Sequence, residues 1–325
     1  MKKVQFIRSV VVGFTLLFSA NSQAETFPDK PIRWIVPYSA GGTTDVMARH
    51  LATEMGKTLK QTIVIENKPG AASIIGATAI ARATPDGYTI GTVDSGTLAF
   101  NPALYKSLTY DAMKDFSFIG GLGKMPIVLA VNNAFPADNL AQFVDLVKKE
   151  PGKITSASSG HGSPLHMAIE LFNHKQKLNL LHVPYKGSAP AVQDLMSGQI
   201  NSMFVDLPPS ISVIRAKKIK VLAVATPERM AILPDVPTFD EAGVKGFEAY
   251  AWQSLVGPKG MPKERLAMLN KALNDALTSD TIRQKFSEIG IQPMPMQPGQ
   301  LEHFAGSEHE TWGNLIREAD IKLAN

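Results

Sequence analysis

The sequence predicts an α/β protein of two lobes, each a mainly parallel sheet flanked by helices, with a ligand cleft between the lobes. Three observations carry that prediction. Short β-branched runs alternate with longer helix-like segments, the order expected of a parallel sheet with helices on its faces. The alternation ends and then restarts in the second half of the chain. In each half a glycine-rich turn separates a strand from a helix, the place where such sheets hold ligands.

Residues 33–36 read as the first strand. Residues 45–59 read as a helix, with Met47, Leu51, Met55 and Leu59 at i+4 spacing on one face. A strand over 62–66, a small-residue helix over 73–83 ended by Pro85-Asp86-Gly87, and a strand over 88–93 complete a βαβαβ unit. The order restarts with a strand at 126–131, a helix at 140–149 and a strand at 153–157. It continues with a helix at 164–173, a strand at 180–183, a helix at 189–197 and a strand at 200–205. Another helix, a strand over 221–225 and a proline-rich stretch precede a strand at 250–256. Helices over 263–278, 281–288 and 299–320 close the chain. A helical tail that returns over the first lobe makes that lobe discontinuous, 25–123 plus 251–325, with the second lobe inserted at 124–250.

The start of the chain is of another kind. MKKVQFIR is basic, VVVGFTLLFSA is a short apolar run, and Ser22-Gln23-Ala24 is the small-x-small pattern that precedes signal-peptidase cleavage. The expectation is a leader cut after Ala24 and a periplasmic protein, since the apolar run is short of the roughly 20 residues that span a bilayer. Losing the leader removes Lys2, Lys3 and Arg8, which lowers the net charge from +4 to about +1. No Lys/Arg run exceeds a pair such as Lys217-Lys218, so nucleic acid is not expected as a partner. The chain has no cysteine, which excludes thiol catalysis, disulfides, Cys-ligated metals and a lipid-modified N-terminal Cys. Its seven histidines include no HExxH pattern, and His161 and His166 stand one step beyond i,i+4 spacing. Neither a metal nor another cofactor is expected.

Three polar turns remain, each after a strand. Tyr38 and Ser39 lead into Ala40, Gly41, Gly42, Thr43, Thr44 and Asp45. The glycines let the backbone approach a ligand, and the threonines add hydroxyl donors. Asp45 suits the first turn of the following helix. Ser158, Ser159, Gly160, His161, Gly162 and Ser163 hold the same place in the second half, with Pro164 fitted to open a helix. The third turn carries Asp94 and Ser95. A helix start offers unpaired N–H groups and about half a positive charge, so facing turns of this kind suit an anion. The anion is held either for carriage or for chemistry. Chemistry would fall to Ser163 with His161 as a hydrolytic pair, but GHGSP lacks the GxSxG elbow. There is no GxxxxGK[ST], and SAGGTTD is not GxGxxG.

Many ordered motifs then point one way. FPDKPIRWIVPYSAGGTTDVMARHLA, VIENKPGAASIIGA, PDGYTI and NPALY with YDAMKDF mark the first half. SASSGHGSPLHMAIELF, HVPYKGSAPAVQDLMSGQI, LAVATPERMAILPDVPTFDEAG and GPKGMP mark the second. Over essentially its whole mature length the chain resembles the substrate-binding proteins of tripartite tricarboxylate transporters, the Bug-type periplasmic receptors. The resemblance implies a type II-like periplasmic-binding-protein fold that closes like a Venus flytrap around a small carboxylate. It implies a di- or tricarboxylate, an aromatic carboxylate or an amino acid as ligand. A monomer would hand that ligand to large and small integral-membrane subunits without catalysis, or present it to a signalling partner. Ligand contacts are implied from residues 39–45 and 158–163, from Ala71, Ala72 and Ser73, and from Asp94 and Ser95. Three positions depart from the family pattern: His161 stands where Asn is common, Asp94 replaces a small residue, and MFVDLP replaces MFDNLP at Asp206. These departures are either drift at loop positions or a retuned pocket. Lys186, in Tyr185-Lys186-Gly187, reads as an anion clamp or a brace of its lobe, and Trp252 as the reporter of closure.

Overall fold

The computed structural model describes residues 27–185 and 187–322, so the expected leader, its cleavage point and Lys186 lie outside it. Strands β1 (Ile32–Val36), β2 (Ile63–Asn67) and β3 (Thr89–Asp94) alternate with helices α1 (Thr43–Leu59) and α2 (Ile74–Ala81), as the sequence order predicts. Strand β1 lies between β2 and β3 and is parallel to both. A π-helical turn, Gly96–Phe100, and α3 (Asn101–Leu104) lead into β4 (Phe116–Asn132). The second half repeats the plan with α4 (Leu140–Lys149), β5 (Thr155–Ser158), α5 (Pro164–Gln176), β6 (Leu181–Pro184), α6 (Ser188–Ser197) and β7 (Ser202–Asp206). Here β5 lies between β6 and β7 and is parallel to both. The two parallel triplets, β2-β1-β3 and β6-β5-β7, are therefore topologically equivalent.

Antiparallel strands join the triplets. After α7 (Leu207–Arg215) and β8 (Ile219–Val224), β9 (Tyr250–Pro258) pairs with β3 on one side and β4 on the other. From Phe116 to Pro126, β4 pairs with β9; from Ile127 onward it pairs with β7 and β8. One 17-residue strand thus runs through both halves of the sheet. The sequence reading caught only its second part, because Gly120, Gly121 and Gly123 dilute the β-branched signal. The packing demands a residue without a side chain there: a Cβ on Gly121 would lie 2.4 Å from the Met294 carbonyl oxygen. Helices α8 (Lys263–Thr278) and α9 (Asp280–Glu288), the short strand β10 (Gln292–Pro293) and α10 (Pro298–Glu318) close the chain, with β10 on the first part of β4. Among the described residues no helix is long and apolar enough to cross a membrane.

The apolar spacing of α1 has the predicted result: Met47, Leu51, Met55 and Leu59 are all buried, against Trp34, Leu273 and Phe286. Each such side chain contributes roughly 1.5–3 kcal/mol, which fixes the helix and so aims its N-terminus. In the other half Phe172 of α5 sits among Phe143, Phe204, Phe239 and Phe247, with ring centroids 5.5–6.4 Å away. A small cluster of Ala99, Phe100, Met167, Ile316 and Ile321 draws on the first half, on α5 and on the tail helix together. Trp312 packs edge-on against Phe100 there, at 4.8 Å. Trp252 is fully buried and donates to Glu308 at 2.9 Å, while Trp312 packs against both this cluster and the core of the second half.

Candidate ligand-binding site

The first turn leaves the carboxyl end of β1, the central strand of its triplet. Ser39, Ala40, Gly41 and Gly42 are exposed, and Gly42 is the N-cap of α1 with no side chain bonded to the cap. The leading N–H groups of a helix have no intrahelical partner, so α1 presents an uncapped positive end. Asp45 is bonded inside the turn. Its buried carboxylate accepts from Gly41 N at 2.9 Å, from Arg49 Nε at 2.9 Å and from Asn67 Nδ2 at 2.9 Å, which ties the turn to β2. Burial pushes its pKa up, but the bonds from Arg49, Gly41 and Asn67 outweigh this and hold it below the usual carboxylate range. Thr44, also buried, accepts from Gln253 Nε2 at 2.6 Å.

Two further turns flank it. Ala71, Ala72 and Ser73 have φ of 47°, 49° and 69°, a run of left-handed residues without glycine. Such conformations cost roughly 1–2 kcal/mol each for an L-residue and persist only where neighbours hold them. Asn101 Nδ2 grips the Ala72 carbonyl at 2.9 Å, and Ser73 Oγ meets Thr97 Oγ1 at 2.8 Å. At the end of β3, Asp94 Oδ1 accepts from both the backbone and the hydroxyl of Thr97 at 2.8 Å, and Oδ2 accepts from the Tyr38 hydroxyl. Burial and then the Asp94 charge push the Tyr38 phenol well above its ordinary range, keeping it a donor. Asp94 is therefore largely spent on holding two turns together. Beside it Ser95 Oγ and Gln253 Oε1 are buried without a hydrogen-bond partner, and Gln253 is the β9 register partner of Asp94.

The second half repeats the geometry. Its main turn follows β5, the central strand of its triplet, with Gly160 and Gly162 at φ of 135° and 70°. Ser159 and Gly160 are partly exposed. Ser163 Oγ accepts from His166 N at 3.2 Å and so caps α5. Among the described residues no hydrogen bond joins its hydroxyl to His161. His166 Nδ1 accepts from Gly162 N at 3.1 Å, and Ser158 Oγ lies 2.6 Å from His182 Nε2. Asp206 ends β7 as Asp94 ends β3, the same place in the plan. It accepts from Ser188 Oγ at 2.8 Å, and burial raises its pKa against the effect of that bond. Tyr185 donates to Asp194 at 2.6 Å, within its own half.

The structure thus places all the predicted turns at carboxyl strand ends and divides their residues by role. Gly41, Gly42, Thr43, Ala71, Ala72, Ser95, Ser159, Gly160 and His161 form or border the open turns, whereas Asp45, Asp94, Ser158 and Ser163 are committed to supporting bonds. Sequence reasoning missed Asn67, Asn101, His182 and Gln253, which hold these turns from other elements, while Thr97 belongs to the third polar turn it did identify. Gln253 had a signal, a lone amide inside the apolar run YAWQSLV. The surface hollows beside α8 (about 360 Å³) and beside α1 and β2 (about 920 Å³) include none of the turn residues.

His182 carries a prediction about pH. Burial first, then the charges of His166 and His161, push its pKa down to about 3 from an ordinary 6.5. Between those values the unfolded chain binds the extra proton, so stability is fullest above pH 6.5 and falls as pH drops toward 3. For a ring only partly buried, solvent screening leaves an expected loss of about 1–2 kcal/mol between pH 7 and pH 5. Urea unfolding of metal-free protein will show this slope, and His182→Gln will flatten it. An unchanged slope in the variant assigns it to other groups.

Residues 47–321 match the family model described as the tripartite tricarboxylate transporter family receptor, TctC. BugT of Bordetella pertussis is 34% identical over 306 residues, covering 94% of each chain. Among solved structures, the periplasmic binding protein BugD is similar with a TM-score of 0.83 and 35% identity, over 91% of this chain and 99% of that one. MatC from Rhodopseudomonas palustris, with bound malate, is similar with a TM-score of 0.82 and 34% identity, over 89% of this chain and all of that one. The match runs through both parallel triplets and the helical tail, so the chain belongs to the TctC family of tripartite tricarboxylate transporter receptors and has the two-lobed fold of a Bug-type periplasmic binding protein.

Proposed function

We propose that the protein is a periplasmic receptor, exported by cleavage after Ala24, which captures a small carboxylate between its lobes and delivers it to the large and small membrane subunits of a tripartite transporter. The observation that carries this reading is the pair of equivalent turns after β1 and β5, each opening a helix and the first of them uncapped. Helix N-termini bind anions without needing a lysine or arginine. A dicarboxylate suits two such turns, one carboxylate to each, and MatC, a relative by fold and sequence, holds malate. The change of partners along β4 at Ile127 supports lobes at 25–123 plus 251–325 and at 124–250; the receptor would act as a monomer.

The test is a thermal-shift screen of the purified protein against malate, succinate, adipate, citrate, benzoate and acidic amino acids. At about 100 times its dissociation constant a true ligand adds about 2.7 kcal/mol to stability, and mass spectrometry should recover it unchanged. If no acid shifts the transition and denaturing extraction releases no carried-over ligand, the carboxylate reading is wrong. Conversion of a hit to product would replace the receptor with a hydrolase.

A further inference from the structure

Three of the seven histidines, separated in sequence, meet in the second lobe. His161 comes from the turn after β5, His166 from the first turn of α5 and His182 from β6. The His166 and His182 rings stack at 3.9 Å, and His161 stands edge-on to both, at 5.7 and 5.2 Å. One nitrogen from each ring lies within 4.8 Å of the others. An independent observation comes from His161 itself, whose Nδ1 is buried without a hydrogen-bond partner. A polar atom in that state carries a desolvation cost that a ligand would relieve.

We propose that His161, His166 and His182 bind a late first-row divalent metal ion, of which Zn²⁺ is the probe of choice. Three imidazoles are a ligand set for zinc and for its neighbours copper and nickel. His182 turns Nε2 toward Ser158 and keeps Nδ1 for a metal, whereas His166 offers the Nδ1 lone pair that now accepts from Gly162 N, a bond the metal would replace. A metal-bound imidazole ordinarily donates its other ring N–H to an oxygen, which fixes tautomer and ring angle. Glu170 Oε1, 3.5 Å from His166 Nε2, adds a nearby carboxylate. Zn–N bonds of about 2.0–2.1 Å require the nitrogens to approach to roughly 3.4 Å, so a ring must move by about 1 Å. His161 is the one able to do so, since it lies in a turn between Gly160 and Gly162. Burial and neighbouring imidazoles lower His161 and hold His182 near 3, so a metal displaces little or no proton from them at neutral pH.

The spacing of His161 and His166 pointed away from a metal because the third ligand comes from the next strand. Three protein ligands leave an open coordination position, and the turn that carries His161 is one of those assigned to the cleft. The metal site itself does not depend on the carboxylate reading, and its test uses the metal alone.

Tag-free, chelator-stripped protein is titrated with Zn²⁺ against a chromophoric chelator at pH 7.5. The expected result is uptake of one equivalent, weakened at least tenfold by His161→Ala and by His182→Ala and unchanged by His303→Ala, an exposed control on α10. His161→Ala lies in a turn and should leave the circular dichroism unaltered. With Cu²⁺ in place of Zn²⁺, electron paramagnetic resonance should show coupling to imidazole nitrogens that is lost in His161→Ala. Failure of the unsubstituted protein to take up one equivalent overturns the proposal, and so does equally tight uptake by His161→Ala.

Discussion

Gly42→Val is expected to weaken carboxylate binding about 10–100-fold while leaving the fold nearly intact. The two halves of that statement have separate causes. Gly42 has φ of −76° and ψ of 169°, a backbone that any residue adopts. The nearest atom to an added Cβ is the Ser39 carbonyl oxygen at 3.5 Å, an ordinary contact. Loss of glycine at an N-cap costs no more than about 1 kcal/mol. The new side chain, however, stands in front of the uncapped N–H groups of α1, where the anion must come within about 2.9 Å. Losing one or two charge-assisted bonds of about 1.5–3 kcal/mol gives the predicted factor. Titration calorimetry with the best acid from the screen, alongside urea unfolding, measures both quantities. Unchanged affinity would remove the first turn from the binding site.

Phe172→Ala should have the largest effect on stability, about 3–5 kcal/mol. The side chain is fully buried among four other phenylalanines, a wall of rings that cannot collapse into the space it leaves. Its place on α5 links core to function, because the N-terminus of that helix forms the second turn. Differential scanning calorimetry should show a melting temperature lower by roughly 10 °C, and affinity at low temperature should fall far less than in Gly42→Val. A loss of under about 1 kcal/mol would mean that the cluster repacks. Together the two variants separate damage to the site from damage to the scaffold that carries it.

The elements with a strong local signal were legible in the sequence. The i+4 apolar face of α1, the Pro164 start of α5 and the glycine turns each encode their own conformation within a few residues, through sterics and periodicity. Boundaries over 140–149 and 263–278 coincide with α4 and α8. What escaped was encoded between elements. The first part of β4 looks like a loop because its glycines are chosen by Met294 and Leu273 pressing on the strand, not by its own propensity. The left-handed run at Ala71, Ala72 and Ser73 follows Gly70 but holds no glycine itself, and it is kept by Asn101 and Thr97.

The sequence by itself therefore determined the α/β class, the family, and which turns stand at the ends of which strands, since all of these depend on local order along the chain. Only the tertiary structure decided what each side chain does there. It showed Asp45 and Asp94 bonded as braces of the turns and Ser163 as a helix cap. It brought Gln253 to Thr44 across 209 residues, and His182 to His161 and His166. A hydrogen bond or a ring contact is specified by position to within a fraction of an ångström. That position is set by packing many distant elements at once, which no local pattern contains.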